Sequence, residues 1–299
     1  MRYGYIGLGN LGGHLAMSLV KGGFDVTVFD LDPALAERHV QAGAKRAATI
    51  AGLVGQVDHV FTCLPSPVIS EKVLDEILKA ASPDMTWIEN STLGREDILR
   101  LSTRAQEHGL KVLEAPVTGG VHLAARGEIT VLVGGDEVLF VAHKQALETI
   151  GKRIFLMGPL GSAAVIKVIT NMLAFIHLVA DAEALMLAKR GGLDLAQSWR
   201  AITASSGTSF VHETEGQLIL NGSYDIAFTM DLALKDLGFA MKFGEDFGVP
   251  LDLAKLTLET FQKGKAAYGG AAQSTAIAKL LEDKVGTDLR AEGFPSRLT

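Results

Sequence analysis

Lys167 and Asn171 stand four residues apart in a strongly apolar stretch. On a helix, positions i and i+4 share a face, so an amine and a carboxamide there can meet one small ligand. Val165, Ile166, Val168 and Ile169 surround the amine in sequence, and burial among them disfavours its charged form. Such a lysine is suited to taking and giving a proton. Upstream, Gly119-Gly120 follows Thr118 and leaves backbone N–H groups unobstructed, which makes a nest for a carboxylate. Nearer the start, Gly7-Leu8-Gly9-Asn10-Leu11-Gly12 fits G-x-G-x-x-G between a strand-like and a helix-like segment, the placement that gives this motif its specificity. Gly7 permits a tight turn, Gly9 lets backbone approach a pyrophosphate, and Gly12 allows close packing of helix on strand. The helix N-terminus attracts the anion.

Asp30 ends the next strand-like run, eighteen residues past Gly12, where a dinucleotide site places the acid that holds the adenosine ribose hydroxyls. A 2′-phosphate would meet repulsion from Asp30 and Asp32, and the nearest arginine in sequence is Arg38. The expected cofactor is therefore NAD. Other candidates read more plainly. Cys63 is expected to be a small buried residue rather than a nucleophile, and on spacing alone Lys235-Asp236 is a solvated charge pair. His122, His177 and His212 have no metal-ligand spacing, so no metal is expected, although His122 and Arg126 follow the glycine pair closely. Neither G-x-S-x-G nor H-E-x-x-H occurs.

These residues need a frame to hold them. Strand-like apolar runs recur at 3–6, 26–30, 59–64, 86–90, 111–115, 130–133 and 153–157, with helix-like stretches at 12–21, 33–42, 68–80 and 95–108 between them. Strand alternating with helix specifies a mostly parallel sheet covered on both faces, because parallel neighbours need crossover helices. After Gly158-Pro159-Leu160-Gly161 the pattern turns to long helices, including 230–247, 252–265 and 273–284. The expected architecture is α/β: a doubly wound, Rossmann-like domain over 1–160, then an all-helical domain over 161–299 for substrate and dimerisation. Residues 162–190 are apolar enough to suggest a membrane span, but Lys167, Asn171, His177, Asp181 and Glu183 interrupt them at high cost in lipid. A helix buried by protein is expected instead, and no membrane partner.

Composition narrows the partners. The chain has 299 residues, enough for about two domains at roughly 100–200 residues each. Lys and Arg number 28 against 34 Asp and Glu, a net charge of −6 that offers nucleic acid no basic field. One cysteine can form neither an internal disulfide nor a multi-thiolate metal site, and residues 1–7 lack the apolar core of an export signal. A cytoplasmic protein is expected.

The run Glu114-Ala115-Pro116-Val117-Thr118-Gly119-Gly120 and the segment Gly161 to Asn171 resemble the β-hydroxyacid dehydrogenases, a family that includes 3-hydroxyisobutyrate dehydrogenases and tartronate semialdehyde reductases. The likeness extends from the glycine fingerprint through Leu64-Pro65 and Ser91-Thr92 to Phe228 and Lys235-Asp236-Leu237. It implies that Lys167 is catalytic and that Thr118, Gly119, Gly120 and Asn171 bind the substrate carboxylate and hydroxyl. It also implies that Leu64, Pro65, Thr92 and Lys235 line the cofactor. Thr118 stands where serine is usual. The implied activity is NAD-dependent interconversion of a short 3-hydroxy carboxylate and its semialdehyde in an interdomain cleft, by a homodimer or homotetramer with a 6-phosphogluconate dehydrogenase-like C-terminal domain. Two alternatives stand beside it: a tartronate, succinic or glyoxylate-type semialdehyde reductase working reductively, and a catalytically idle NAD sensor.

Overall fold

Successive residues of single strands enter opposite hydrophobic cores. Val60, Trp87 and Val112 pack into one cluster, while their neighbours Phe61, Ile88 and Leu113 pack into another. A sheet buried on both faces needs such continuous apolar runs, and the pleat sends alternate side chains to each side. The computed structural model describes all residues, 1–299. It contains two compact units, Met1–Lys167 and Val168–Thr299.

In the first unit one sheet is built from β1 (Arg2–Ile6), β2 (Asp25–Phe29), β3 (Lys45–Arg46), β4 (His59–Thr62), β5 (Thr86–Glu89), β6 (Lys111–Glu114), β7 (Val117–Thr118), β8 (Ile129–Gly135) and β9 (Gly151–Gly158). The order is β3-β2-β1-β4-β5-β6-β8-β7, with β9 beside β8. The first six strands run parallel, β8 is antiparallel to β6 and β7, and β9 is parallel to β8. The expected mostly parallel, doubly wound sheet is present. Helices α1 (Gly12–Lys21), α2 (Ala34–Gln41), α3 (Ile50–Val54), α4 (Pro67–Leu78), α5 (Arg95–Glu107), α6 (Val121–Ala125) and α7 (Glu137–Ile150) complete the layers. Leu15 and Leu19 of α1 and Leu147 of α7 fill one core; Leu74 of α4 and Leu101 of α5 fill the other.

The long helix α8 (Ser162–Arg190) begins in the first unit and continues into the second. Its first turn belongs with the sheet because Ala163 and Ala164 donate their N–H groups to Glu114 on β6. The second unit is all-helical: α9 (Leu195–Thr203), α10 (Phe210–Asn221), α11 (Met230–Phe247), α12 (Asp252–Tyr268), a 3-10 turn (Ser274–Ala278) and α13 (Lys279–Val285). Phe175 and Leu178 of α8 meet Leu220, Leu237 and Phe261 in its core. Thr229 caps α11 through the Leu232 N–H, and Gly248 at φ 67° ends it. By length and composition α8 could cross a membrane, and a third of its most apolar stretch is buried within this chain. Of its polar interruptions Lys167, Asn171 and Asp181 are buried, while His177 and Glu183 are exposed; Asp181 pairs with Nδ1 of His212 at 2.5 Å.

At the N-terminal ends of β1, β4 and β5, the Tyr3 hydroxyl lies 3.0 Å from Nδ1 of His143, whose Nε2 is 3.3 Å from Oγ1 of Thr86. The His59 ring stacks edge-on against His143. Burial holds His143 down to about 4 and lowers His59 as well. The unfolded chain therefore binds protons that the folded one refuses between about 6.5 and 4. That stability is present above 6.5 and lost as pH falls, by up to ~1.4 kcal/mol per pH unit per group. Glu89 and Glu114, raised by burial to about 7, act oppositely, since their contribution is full at low pH and lost as pH rises towards 7. Urea midpoints at pH 5 and pH 7 should therefore respond to His143→Gln with a smaller acid loss than in the natural chain. An unchanged pH difference would exclude His143 from the acid response.

Candidate nucleotide and substrate site

The turn between β1 and α1 has the shape its glycines permit. Gly7 sits at φ 95°, and a Cβ there would fall 2.3 Å from the Cys63 carbonyl oxygen. At Gly12 a Cβ would fall 2.2 Å from the Gly7 carbonyl oxygen, so the helix can start against the strand only without a side chain. A Cβ at Gly9 would meet nothing within 4 Å. The loop is closed on its protein side and open where Gly9 faces outward, which fits a pyrophosphate laid against backbone N–H groups. Leu8 is buried, while Asn10 is exposed and Leu11 partly so.

Asp30 follows β2 and ties into that loop. Its Oδ2 accepts the Leu8 N–H at 2.7 Å, and its Oδ1 accepts the Asp32 N–H at 2.9 Å. Each oxygen keeps a lone pair for a ribose hydroxyl. A cavity of about 340 Å³ opens beside it, lined by Asp30, Leu31, Pro33 and Arg46 among others. Arg38, the nearest arginine in sequence, lies instead over α1, where a Cβ on Gly13 would meet its guanidinium. The arginine that shares the cavity is Arg46, which the sequence reading passed over.

Two further loops lie at the C-terminal ends of β4 and β5. The Leu64 N–H donates to Ser91 Oγ at 2.7 Å, and the Ser91 hydroxyl donates in turn to the buried Glu89. This relay fixes Leu64 and the exposed Pro65 after one strand, and Thr92, partly buried, after the next. Thr118 ends β7 opposite Thr130, and Gly119 and Gly120 follow at φ 126° and 86°. Non-glycine residues avoid that region, so the two successive turns of backbone are open to this pair. The His122 ring folds over Gly120, 3.2 Å from where a Cβ would stand.

On α8, Lys167 is 8% exposed and Asn171 9%. The Asn171 amide donates to Asp236 Oδ2 at 2.6 Å, and Asp236 is itself 1% exposed on α11. The Lys235 ammonium lies 3.1 Å from Asp236 Oδ1 and over the Phe239 ring. The pair expected to be solvated on spacing alone is thus an anchor with a buried carboxylate. Asp236 and Glu114 are the two positioning residues that the sequence reading did not single out for a role. Glu114, also 1% exposed, receives the Ala163 N–H at 2.9 Å and the Ala164 N–H at 3.0 Å, which satisfies the first turn of the lysine helix. Gly134, opposite it on β8, makes the room: a Cβ there would fall 2.2 Å from Glu114 Oε1. Burial pushes the Glu114 carboxyl up to about 7 against the pull of the N–H groups it accepts.

The chain can be compared with known proteins on this basis. Residues 2–158 match the NAD binding domain of 6-phosphogluconate dehydrogenase, and residues 161–281 match the NAD-binding family of NADP-dependent 3-hydroxyisobutyrate dehydrogenase. The 2-(hydroxymethyl)glutarate dehydrogenase of Eubacterium barkeri is 31% identical over 97% of both chains. The L-threonate dehydrogenase of Cupriavidus necator is 31% identical over 93% of this chain and 95% of its own. A structure of Mycobacterium tuberculosis 3-hydroxyisobutyrate dehydrogenase with L-serine superposes with a TM-score of 0.84 at 28% identity, covering 94% of this chain and 99% of that one. With a glycine loop shaped for a dinucleotide and relatives matched along nearly its whole length, the chain belongs to the β-hydroxyacid dehydrogenase family and is an oxidoreductase that uses a nicotinamide cofactor.

Proposed function

We propose that the enzyme interconverts a short 3-hydroxy carboxylate and its semialdehyde, with NAD as the preferred cofactor and Lys167 as general acid and base. The observation that carries this reading is the low exposure of Lys167 one helical turn before Asn171, on a helix whose start is held by Glu114. The compounds named for the relatives fit this chemistry: 2-(hydroxymethyl)glutarate, 3-hydroxyisobutyrate and L-serine each carry a carboxylate and a primary hydroxyl on the third carbon, and L-threonate is a hydroxy carboxylate with hydroxyls on its second, third and fourth carbons. The nicotinamide, when bound, accepts or returns the hydride.

In oxidation Lys167 removes the hydroxyl proton, and in reduction it returns it. The N–H groups of Gly119 and Gly120 hold the substrate carboxylate beside Thr118. Asn171, steered by Asp236, orients the hydroxyl. On the cofactor side, Gly7 to Gly12 take the pyrophosphate, Asp30 takes the ribose, and Leu64, Pro65, Thr92 and Lys235 bear on the rest. A screen of NADH formation across short 3-hydroxy acids, and of its consumption with their semialdehydes, tests this. Turnover confined to acids with the hydroxyl on the third carbon is expected; turnover of none of them, with nucleotide binding intact, would favour an idle sensor.

NAD should be preferred over NADP by at least about tenfold, because a 2′-phosphate facing Asp30 costs more than ~1.4 kcal/mol. Equal kcat/KM with both cofactors would remove Asp30 from this role. A homo-oligomer is also proposed, since Leu173 and Leu187 of α8 and Phe155 of β9 present large exposed apolar side chains. Sedimentation at 31.7 kDa at micromolar concentration would overturn it.

A further inference from the structure

The cavity beside Asp30 holds one cation with no protein partner. Its walls are small or apolar, with Phe29 and Pro33 on the β2 side and Ala47 following Arg46 on the other. Arg46 lies on β3 in register with Val28, two residues before Asp30, so the parallel pairing of β2 and β3 brings the two charges to one opening. They do not pair with each other. Each Asp30 oxygen accepts one backbone N–H, from Leu8 and from Asp32, and Arg46 makes no ion pair. Its neighbour Lys45, by contrast, is neutralised by Asp25 at 2.9 Å. An exposed guanidinium left unpaired at the rim of a nucleotide site presents several N–H donors in a fork that matches a phosphate.

We propose that Arg46 attracts a ribose 2′-phosphate and that Asp30 repels it more strongly, so that the balance of these two residues sets which dinucleotide the enzyme accepts. The inference rests on the cofactor assignment and goes beyond it. With Asp30 charged, a 2′-phosphate gains Arg46 but faces a carboxylate in the same opening, and repulsion prevails. With Asp30 neutral, the arginine acts alone.

Isothermal titration of the full-length protein with ADP and with adenosine 2′,5′-bisphosphate tests this without turnover. The natural chain should bind ADP more tightly. Asp30→Asn, which keeps an oxygen for the Leu8 N–H, should tighten the bisphosphate at least tenfold relative to ADP. Adding Arg46→Ala should cancel that gain. Should Asp30→Asn fail to fold, Arg46→Ala alone should lower the bisphosphate-to-ADP affinity ratio at least fivefold. A double variant that keeps the full gain, or an Arg46→Ala ratio equal to that of the natural chain, overturns the proposal. Inorganic phosphate at matched concentration should leave the ADP isotherm unchanged; displacement like that by the bisphosphate would make Arg46 a general anion site and also overturn it. A chain that binds neither nucleotide fails at the cofactor assignment itself, and the Arg46 proposal falls with it.

Discussion

Lys167→Ala should lower kcat at least about 10²-fold, ~2.7 kcal/mol of barrier, while NADH binding changes little. The asymmetry follows from where the groups lie. The nucleotide is assigned to the glycine loop and Asp30, which are held by hydrogen bonds that do not involve α8. The proposed proton transfer is assigned instead to the lysine, 8% exposed on that helix. Because oxidation releases a proton and reduction consumes one, the natural enzyme should oxidise faster as pH rises and reduce faster as it falls. In Lys167→Ala the part of that dependence due to the amine should disappear. Steady-state rates in both directions across pH, together with NADH titration by fluorescence quenching, read all of this. A variant with near-normal kcat would sink the assignment, and so would an unaltered pH profile.

The parts of this architecture with a strong local signal were legible in the sequence. Alternating apolar runs marked every strand longer than two residues, and α1 and α11 begin and end where their patterns do. The glycine fingerprint could be read because a positive φ at Gly7 and a close carbonyl at Gly12 both demand a residue without a side chain, with Gly9 facing open space between them. Short strands were not legible. Lys45-Arg46 has no apolar pattern, and only its pairing with β2 makes it a strand. Helices α9 and α10 were passed over although Asp194 and Ser209 cap them, since those caps lie among polar stretches.

The residues proposed for the site divide in the same way. Lys167 and Asn171 declare themselves by spacing on one helix. Arg46, Asp236 and Glu114 act across elements distant in the chain: Arg46 across two paired strands, Asp236 across 65 residues to Asn171, and Glu114 across 49 and 50 residues to the first turn of α8. Nothing in their immediate neighbours distinguishes a buried acid from a solvated one. Lys235-Asp236 looks like a surface pair until α8 is laid beside α11 within the second unit and the carboxylate is left 1% exposed.

Glu114→Ala should therefore be costly in a way its sequence context does not announce. Removal of the carboxylate leaves the Ala163 and Ala164 N–H groups buried without an acceptor, at ~1–3 kcal/mol each, and opens a void against Gly134. The start of α8 must then shift to find water or another partner. Lys167 lies barely more than one turn beyond, and a displacement of order 1 Å at a reacting group can cost about 10²-fold in rate. The expected result is a kcat at least tenfold lower with NADH affinity nearly intact, and a lowered unfolding midpoint. Glu114→Gln separates the two consequences. It keeps the volume and one carbonyl acceptor but turns an amide donor towards the second N–H, so it should recover most of the stability and only part of kcat. If both variants lost stability but kept kcat in the fraction that remains folded, Glu114 would support the fold without positioning the lysine. If Glu114→Gln matched the natural enzyme in both, the ionisation of this carboxyl, which burial pushes up to about 7, would have no part in either.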